Sequence, residues 1–414
     1  MLKKILSLCF GLLMTACTAA PAGAVILKEV ALNDSQTEIA VPEEIRTSIF
    51  SLTEEITPDY FASSEKSNQI FSPVSLWYAL GVLREGATGE TLDELDRLMK
   101  LHAGFDSQAV IPGLSRSLNF MEESELHGIG EKGGIRLSNG IFVDEGHRAN
   151  ILDDYLTTAA EVWGAETGVV DFTREADTKE TIRKWVAEKT DDFIPDYEAS
   201  FNDDGSAILN IYNVLYLQDH WHTPFNKLGD QVFHTPEKDI TVPYMGDMRY
   251  ADGYSSTETY RAASFEGEKG IRLWFILPEN GEPLSLIPEI RSILDTEPGN
   301  GIMLNFKSPI IDIDGENLPM KELLKEKGYT DMFTNASLDN MLQDVDAVVD
   351  DIRQKTRLKI DEKGFKAAAV TEIGISETSL PETTDFFVDR PYLVVIEYEG
   401  LPLFVSHISD PGEK

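Results

Sequence analysis

Apolar residues recur along this chain with two periods, and they divide it into an early part rich in helices and a later part rich in strands. A first helix is predicted from Pro42 onward, because the apolar residues that follow keep the three- and four-residue spacing of one buried helical face. A second helix is predicted to begin at Ser72, a residue suited to an N-cap, with Pro73 at the first helical position, where its missing N–H costs nothing. The apolar stripes are Ile45, Ile49, Leu52 and Ile56 in the first helix and Leu76, Trp77, Leu80 and Leu83 in the second.

Continuous apolar runs later in the chain predict strands that are buried on both faces of a large sheet. Residues 208–217 and 271–277 are runs of this kind, and each is bounded by polar or turn residues. Two further apolar strands, 392–398 and 403–408, lie close to the C-terminus. Helices first and strands later indicate an α+β fold. No linker-like stretch divides the chain after residue 42, so one large domain, residues 43–414, is the simplest interpretation.

Composition and charge exclude several classes of function. Hydrophobic residues make up 42% of the 414 residues, and beyond the N-terminus no apolar run is long enough to span a bilayer. The formal net charge of −36 excludes nucleic acid as a partner, because affinity for phosphate backbones rests mainly on lysine and arginine contacts. His220 and His222 have no third ligand at a usual spacing, so no metal site is predicted. No cofactor motif or catalytic motif stands in its usual context, and the chain is not expected to be an enzyme.

The first residues have the composition of an export signal. Lys3 and Lys4 precede an apolar segment that is too short to span a bilayer, and small residues then lead to Cys17. The run from Leu13 to Cys17 resembles a bacterial lipobox, with Met14 where leucine is usual. We therefore expect cleavage before Cys17 and attachment of a lipid to its thiol.

This interpretation divides the N-terminal region into a signal peptide, residues 1–16, and a lipidated tether, residues 17–42, which is small, polar and weakly periodic. Cleavage by an ordinary signal peptidase near Ala20 or Ala24 is the alternative. The chain has two cysteines, Cys9 in the signal and Cys17, so no internal disulfide is expected despite export. The predicted location is the bacterial cell envelope, at the periplasmic or surface face of the outer membrane, or the extracellular space, with the lipid as the only membrane contact.

Several segments resemble the serpin family, and together they cover nearly the whole mature chain in the family's order. Residues 71–91 resemble the second and third helices of the serpins, and residues 170–190 resemble the helix that lies across their main sheet. Residues 212–225 are similar to their central strand and the tryptophan at its end, and residues 389–411 to their C-terminal strands. The chain is identified on these grounds as a member of the serpins.

Membership implies a single α+β domain with three β-sheets, eight or nine helices and an exposed reactive-centre loop. In inhibitory serpins a protease cuts this loop, which then inserts into the main sheet and traps the acyl-enzyme. The expected partner is therefore a serine endopeptidase, with cysteine endopeptidases as a second class, and the expected state is a monomer without a cofactor. A non-inhibitory serpin-fold protein, a binding or surface module that proteases cleave as a substrate, is the alternative.

The resemblance also assigns the parts of the loop. The family's usual spacing places the reactive bond at Thr378–Ser379, whereas counting back from Arg390 places it at Glu377–Thr378. A benzyl group at Phe365 departs from the Thr or Ser that inhibitors usually have there, and on insertion it must find space beneath the helix that covers the main sheet. The hinge residues are Glu362, Gly364, Phe365, Ala367, Ala368 and Ala369.

No basic residue lies between Thr371 and Asp389, so the expected target prefers small residues or glutamate and is not trypsin-like. The family's polar cluster, where the central strands part to admit the loop, matches a set of residues early and late in the chain. Gln354 in this set stands where the family often has a histidine. The set is Ser72, Ser75, Asn213, Gln354 and, at the top of the sheet, Trp221.

Overall fold

The computed structural model describes residues 25–30, 40–102, 104–124, 126, 131–201, 206–296, 302–365 and 383–413. The described ranges contain nine α-helices and two 3₁₀ helices, Glu145–Asn150 and Pro283–Glu289. The α-helices are α1 (Glu43–Ala62), α2 (Pro73–Gly86), α3 (Gly89–Leu98), α4 (Ser107–Ser117), α5 (Asp153–Trp163), α6 (Glu175–Lys189), α7 (Ile290–Leu294), α8 (Lys321–Glu326) and α9 (Asp331–Thr334).

The same ranges contain twenty strands. These are β1 (Val25–Lys28), β2 (Gln69–Phe71), β3 (Asn119–Glu123), β4 (Lys132–Asp144), β5 (Ala165–Val170), β6 (Leu209–His220), β7 (Asn226–His234), β8 (Asp239–Tyr250), β9 (Gly253–Ser256), β10 (Tyr260–Glu266), β11 (Arg272–Pro278), β12 (Met303–Pro309), β13 (Ile311–Asp314), β14 (Leu318–Pro319), β15 (Arg353–Gln354), β16 (Arg357–Asp361), β17 (Gly364–Phe365), β18 (Thr383–Phe387), β19 (Tyr392–Tyr398) and β20 (Leu401–Ile408).

The strands form three large sheets, as predicted, and one small pair. The main sheet has the order β1-β5-β4-β6-β17-β16-β13, and β3 also pairs with β4. A second sheet has the order β2-β20-β19-β11-β10-β9, and a third has the order β18-β12-β8-β7. Strands β14 and β15 pair with each other. The predicted α+β class is confirmed, and the predicted strands at residues 208–217 and 271–277 are β6 and β11.

The two helices predicted from periodicity form as expected. Ser72 caps α2, because its hydroxyl accepts a hydrogen bond from the Ser75 backbone N–H at 3.2 Å, and Pro73 opens the helix. The apolar stripes of α1 and α2 are buried in one large core, which they share with the inner face of the main sheet and with the second sheet. On the opposite, outer face of the main sheet, α6 covers a separate cluster that includes Phe142, Trp185 and Val214.

The N-terminal strand β1 was not predicted. Residues 17–42 were expected to be a tether, but Val25–Lys28 pairs antiparallel with β5 and becomes the edge strand of the main sheet. Part of the predicted tether is therefore folded onto the domain. Its pairing partner lies far away in the chain, so local composition carried no sign of it. No helix in the described ranges is long and apolar enough to cross a membrane.

A cleft in the main sheet as the candidate functional site

Among the described residues, the central strand β6 is paired along most of its length on one side only. Its residues 209–218 pair with β4, from Val143↔Leu209 to Gly134↔Gln218. On the other side, β17 pairs only with the last residues of β6, through Gly364↔His220 and Phe365↔Asp219. Among the described residues, no strand pairs with positions 209–218 on that side. Across the resulting cleft lies the segment 346–359, which includes β15 and the first part of β16.

Three cavities follow this cleft from its hinge end, at β17, to its far end. Two of about 30 Å³ lie beside Phe365 and beside Gln354, and one of about 380 Å³ lies at the far end, between α2, β6 and residues 346–354. The walls of the cleft differ between the two faces of the sheet. Leu215 and Leu217 belong to the inner core, whereas Tyr212 and Val214 pack against the cluster under α6.

The described part of the hinge already lies inside the sheet. Phe365 is only 1% exposed, and its ring centroid is 5.1 Å from that of Trp221. The Trp221 N–H donates to the Lys363 carbonyl at 3.0 Å, and the Trp221 Nε1–H donates to the Asp361 carbonyl at 2.9 Å. A Cβ on Gly364 would stand 2.3 Å from the Asp219 carbonyl oxygen, so this close approach requires glycine.

This finding changes the interpretation of Phe365. The sequence suggested a benzyl group that must find space beneath the covering helix, but the ring is already buried on the other face of the sheet, between Trp221 and the inner core and away from the cluster under α6. Glu362, at the start of the hinge, pairs its carboxylate with the Lys227 Nζ at 3.0 Å. The other predicted hinge residues and the reactive bond lie outside the described residues: Ala367, Ala368, Ala369, Glu377, Thr378 and Ser379. Cys17 also lies outside them.

The predicted polar cluster has members on both sides of the cleft, and residues at the start of α2 form hydrogen bonds to each side. On one side, Ser72 and Gln354 exchange two bonds: the Ser72 N–H donates to Gln354 Oε1 at 2.7 Å, and Gln354 Nε2 donates to the Ser72 carbonyl at 2.9 Å. On the other side, the Ser75 hydroxyl donates to Asn213 Oδ1. Ser72, Ser75, Asn213 and Gln354 are therefore brought together as predicted, whereas Trp221 lies at the hinge end.

One member of this cluster was missed. Asn139 of β4 accepts a hydrogen bond from Asn213 Nδ2 at 2.6 Å and donates to the Trp163 carbonyl, also at 2.6 Å. An asparagine inside the apolar run of β4 is the signal that identifies it, because a buried amide requires partners. Because hydroxyl and amide groups can exchange partners, this cluster can satisfy its polar atoms when the cleft is open and when a strand fills it.

The Gln354 contacts predict a loss of stability on truncation. Gln354→Ala would leave the buried N–H of Ser72 without its partner, whereas the Ser72 carbonyl would still accept from the Leu76 N–H, so we expect the free energy of unfolding to fall by about 1–3 kcal/mol. Urea denaturation measures the change. The neighbouring exposed Arg353, whose ion pair with Asp351 spans 2.8 Å, serves as control, because its truncation should cost at most about 1 kcal/mol. Equal losses for the two variants would contradict the role of Gln354.

A buried carboxylate, Asp219, lies directly under the hinge and was also missed. Its oxygens accept hydrogen bonds from the backbone N–H groups of His220 at 2.8 Å, Lys269 at 3.0 Å and Ile271 at 3.4 Å. Burial, together with the nearby charge of Glu268, raises the pKa of Asp219 to about 7, although the backbone N–H donors partly oppose the rise. Asp219 therefore changes charge near neutral pH, next to the point where the hinge enters the sheet.

This pKa predicts how stability depends on pH. The native state holds the Asp219 proton up to about pH 7, whereas the unfolded chain releases it near pH 4, so stability falls as the pH rises between these values. The loss can reach about 4 kcal/mol. Urea unfolding at pH 5 and pH 8 should show that Asp219→Asn is relatively more stable at pH 8. Asp230→Asn, at an exposed site, is the control, and identical pH profiles for Asp219→Asn and the wild type would contradict the assignment.

Fold and cleft together define a protein whose main sheet can accept one more strand. A family model described as serpin (serine protease inhibitor) matches residues 51–411, and the chain belongs to this family. The chain is 28% identical to alpha-1-antiproteinase 2 of Equus caballus, over 85% of this chain and 83% of the relative. It is 25% identical to alaserpin of Manduca sexta, over 89% and 94% of the two chains.

Solved structures agree with this assignment at the level of the fold. Serpin48 of the insect Tenebrio molitor superposes with a TM-score of 0.74 at 23% identity, over 89% of this chain and 98% of that one. The thermophilic serpin Tengpin, in its native state, superposes with a TM-score of 0.77 at 19% identity, over 94% and 100%. The predicted serpin fold is confirmed.

Proposed function

We propose that this serpin is a suicide-substrate inhibitor of serine endopeptidases, with cysteine endopeptidases as a second class, and that its reactive-centre loop fills the cleft beside β6. The observation that carries the proposal is the register of β17. Phe365 pairs with Asp219 in antiparallel order, so each later loop residue would meet the preceding residue of β6. Continued to the far end of the cleft, this register brings Ile375 to Leu209.

The loop sequence fits the inner face of the cleft in this register. Alternate residues point to the same face as Phe365. Ala367 and Ala369 would meet the buried Leu217 and Leu215. Thr371 would then meet Asn213, so that its hydroxyl enters the polar cluster beside Ser75, while Ile373 and Ile375 would reach the inner apolar positions of Ile211 and Leu209. On insertion, the small residues would thus face buried leucines, the hydroxyl would face the polar cluster, and the apolar residues would face apolar positions of β6.

Insertion along this register also has a sufficient driving force. Among the described residues no strand pairs with positions 209–218 on the cleft side, and each inserted residue would gain ladder bonds worth on the order of 1 kcal/mol net. The total of roughly 10 kcal/mol, with apolar burial in addition, is large enough to distort a protease that is still joined to the loop as an acyl-enzyme. The protein therefore acts once per molecule and needs no catalytic group of its own.

One residue of the loop favours the second candidate, a non-inhibitory binding or surface module. In the same register Glu372 would point to the outer face, at the level of Tyr212, which lies in the aromatic cluster under α6. Burying this carboxylate would oppose complete insertion. If insertion stops there, the protease completes hydrolysis and the protein is a substrate.

The loop sequence also supports a choice of target. With Thr378 as the primary residue, the partner is a protease that prefers small side chains, and with Glu377 it is a glutamate-specific one. The absence of lysine and arginine between Thr371 and Asp389 argues against trypsin-like proteases. The inhibitor acts as a monomer and without a cofactor in this proposal.

The deciding experiment mixes the chain from Thr18 onward, which keeps β1, with elastase-like, subtilisin-like, glutamate-specific and trypsin-like proteases. Denaturing gels then reveal covalent complexes, and sequencing of the released C-terminal fragment identifies the bond. We expect a stable complex with one of the first three classes and a fragment that begins at Ser379 or Thr378. Cleavage without a complex, by every protease, would refute inhibition and favour the second candidate.

The export signal and Cys17 support a further part of the proposal, that the mature protein is an envelope lipoprotein held by its N-terminal lipid. Cys17→Ser should move the protein from the membrane fraction to the soluble fraction, because a domain without this lipid has no other predicted membrane contact. Fractionation of the expressing cells measures the shift. A serine variant that stays in the membrane fraction would contradict lipid anchoring.

A further inference from the structure

The position of strand β1 shows at which pole of the main sheet the folded domain begins. Val25 pairs with Val169 of β5, and Val169 pairs with Val143 of β4, which in turn pairs with Leu209 of β6. These residues form one row across four strands. Leu209 is the first residue of β6, and the hinge meets the last residues of the same strand, His220 and Asp219. The row of Val25 therefore lies at the pole of the main sheet opposite the hinge.

The direction of β1 shows which way the preceding chain goes. Lys28 pairs with Thr167, whose partner on β4 is Ile141, so β1 runs from the far pole toward the middle of the sheet. The N-terminal end of β1 therefore lies at the far pole. Had β1 been parallel to β5, this end would have lain beside the middle of the sheet instead.

Contacts outside the ladder hold β1 on the domain. The Lys28 Nζ donates to the Thr157 hydroxyl of α5 at 2.9 Å, so the end of β1 is tied to a helix as well as to a strand. Leu27 is half-buried and packs against the large inner core. Backbone pairing, a side-chain hydrogen bond and apolar packing thus act together, and the domain begins at β1 and not at α1.

This attachment sets the reach of the N-terminal anchor. An extended chain from Cys17 to Val25 spans at most roughly 28 Å, whereas from Cys17 to Glu43 it would span roughly 90 Å. Strand β6, which separates the far pole from the hinge, is itself about 36 Å long. A lipid on Cys17 therefore keeps the far pole within roughly 28 Å of the bilayer. This distance is shorter than β6, so the domain cannot stand with its hinge pole on the bilayer and its far pole away from it. Without β1, the domain could present either pole.

We propose that the pole of the domain opposite the hinge faces a lipid bilayer and that β1 holds it there, so that the reactive-centre loop points away from the membrane toward soluble proteases. This inference rests on the lipid anchor and the inhibitory function proposed above. The partner of this pole is the lipid surface to which the N-terminal lipid is bound. The net charge of −36 disfavours adsorption of the domain to anionic lipid, so the tether, and not surface attraction, sets the orientation.

Energy transfer from two matched positions tests the orientation. The lipidated full-length protein is bound to phosphatidylcholine vesicles that carry an acceptor dye on a lipid headgroup. Donor dyes are attached to Thr173→Cys, exposed near the far pole, or to Thr223→Cys, exposed near the hinge. Because Cys17 carries the lipid and Cys9 belongs to the signal, the new cysteine is the only free thiol of the mature chain. We expect several-fold greater transfer from position 173, and equal or reversed transfer would overturn the proposal.

A second pair of variants tests the role of β1. Proline at both Ile26 and Lys28 removes two backbone N–H groups from a strand of four residues and breaks its ladder with β5, so β1 should detach and the difference between positions 173 and 223 should disappear. Val30→Pro, just beyond the strand and exposed, should preserve the difference. A difference that survives in the double proline variant would show that β1 does not set the orientation.

A trapping assay in detergent separates this inference from the function on which it rests. If the protein traps a protease but shows equal energy transfer from positions 173 and 223 on vesicles, the proposed orientation is refuted and the inhibitory function is not. A transfer difference in a protein that traps no protease would support the orientation and refute inhibition. Failure of the wild-type protein to bind vesicles would remove the anchor and overturn the orientation with it.

Discussion

An arginine in place of Ala367 is expected to abolish trapping while leaving the loop fully cleavable. If the loop inserts in the register set by β17, residue 367 would follow Phe365 on the inner face and meet Leu217, a buried core residue. A guanidinium group there would be buried without a partner, which costs several kcal/mol. A barrier higher by about 3 kcal/mol would slow insertion more than 100-fold, so hydrolysis of the acyl-enzyme would finish first.

Gel assays of complex and cleaved product measure this outcome as the number of inhibitor molecules consumed per protease trapped. Lys366→Arg is the matched control, because residue 366 would point to the opposite face on insertion, at the level of Gln218, and it already carries a cation. It should trap as the wild type does. Undiminished trapping by Ala367→Arg would mean that the loop does not enter the cleft in this register.

A gain of function is the second large effect that we expect. Thr378→Arg should convert the protein into an inhibitor of trypsin-like proteases, whose primary pocket carries an acidic residue. A buried, hydrogen-bonded ion pair in that pocket contributes on the order of 4 kcal/mol, which corresponds to roughly a 1000-fold faster reaction. The wild type offers no basic residue between Thr371 and Asp389.

The same substitution, moved by one residue, distinguishes the two candidate bonds. Trypsin will cut after arginine in both Thr378→Arg and Glu377→Arg. Inhibition requires a fixed number of loop residues between the hinge and the cleaved bond, and only the variant that is cut at the natural bond has this number. We expect Thr378→Arg to consume fewer inhibitor molecules per trapped protease than Glu377→Arg. The reverse order would assign the bond to Glu377–Thr378, and cleavage of both variants without any complex would argue for the non-inhibitory candidate.

Local signals in the sequence were sufficient for much of the fold. The cap at Ser72 and the first turn at Pro73 depend only on neighbouring backbone groups, so α2 could be predicted from its own residues. Strand β11 could be predicted from its apolar run for the same reason. The polar cluster needed the resemblance to a family, because Ser75 and Asn213 are far apart in the chain and meet only in the folded domain.

Other features depended on partners that the local sequence does not reveal. The four residues of β1 lie in a segment that is otherwise small and polar, and their strand exists because the edge of β5 is available to pair with them. Phe365 seemed an obstacle to insertion, but its ring already lies beside Trp221. The raised pKa of Asp219 comes from burial and from Glu268, both of which follow from the packing of distant segments.

The sequence by itself determined which segments become helices and strands, the family of the protein, and the order of small, polar and apolar residues in its loop. These are properties of neighbouring residues, whose spacing and backbone preferences are fixed by the chain. Only the tertiary structure decided that, among the described residues, no strand pairs with positions 209–218 on one side of β6, that the hinge has already entered the sheet, and that the N-terminal end of β1 lies at the opposite pole. Each of these depends on strand pairing between segments that are distant in the chain, and such pairing is set by the packing of the whole domain.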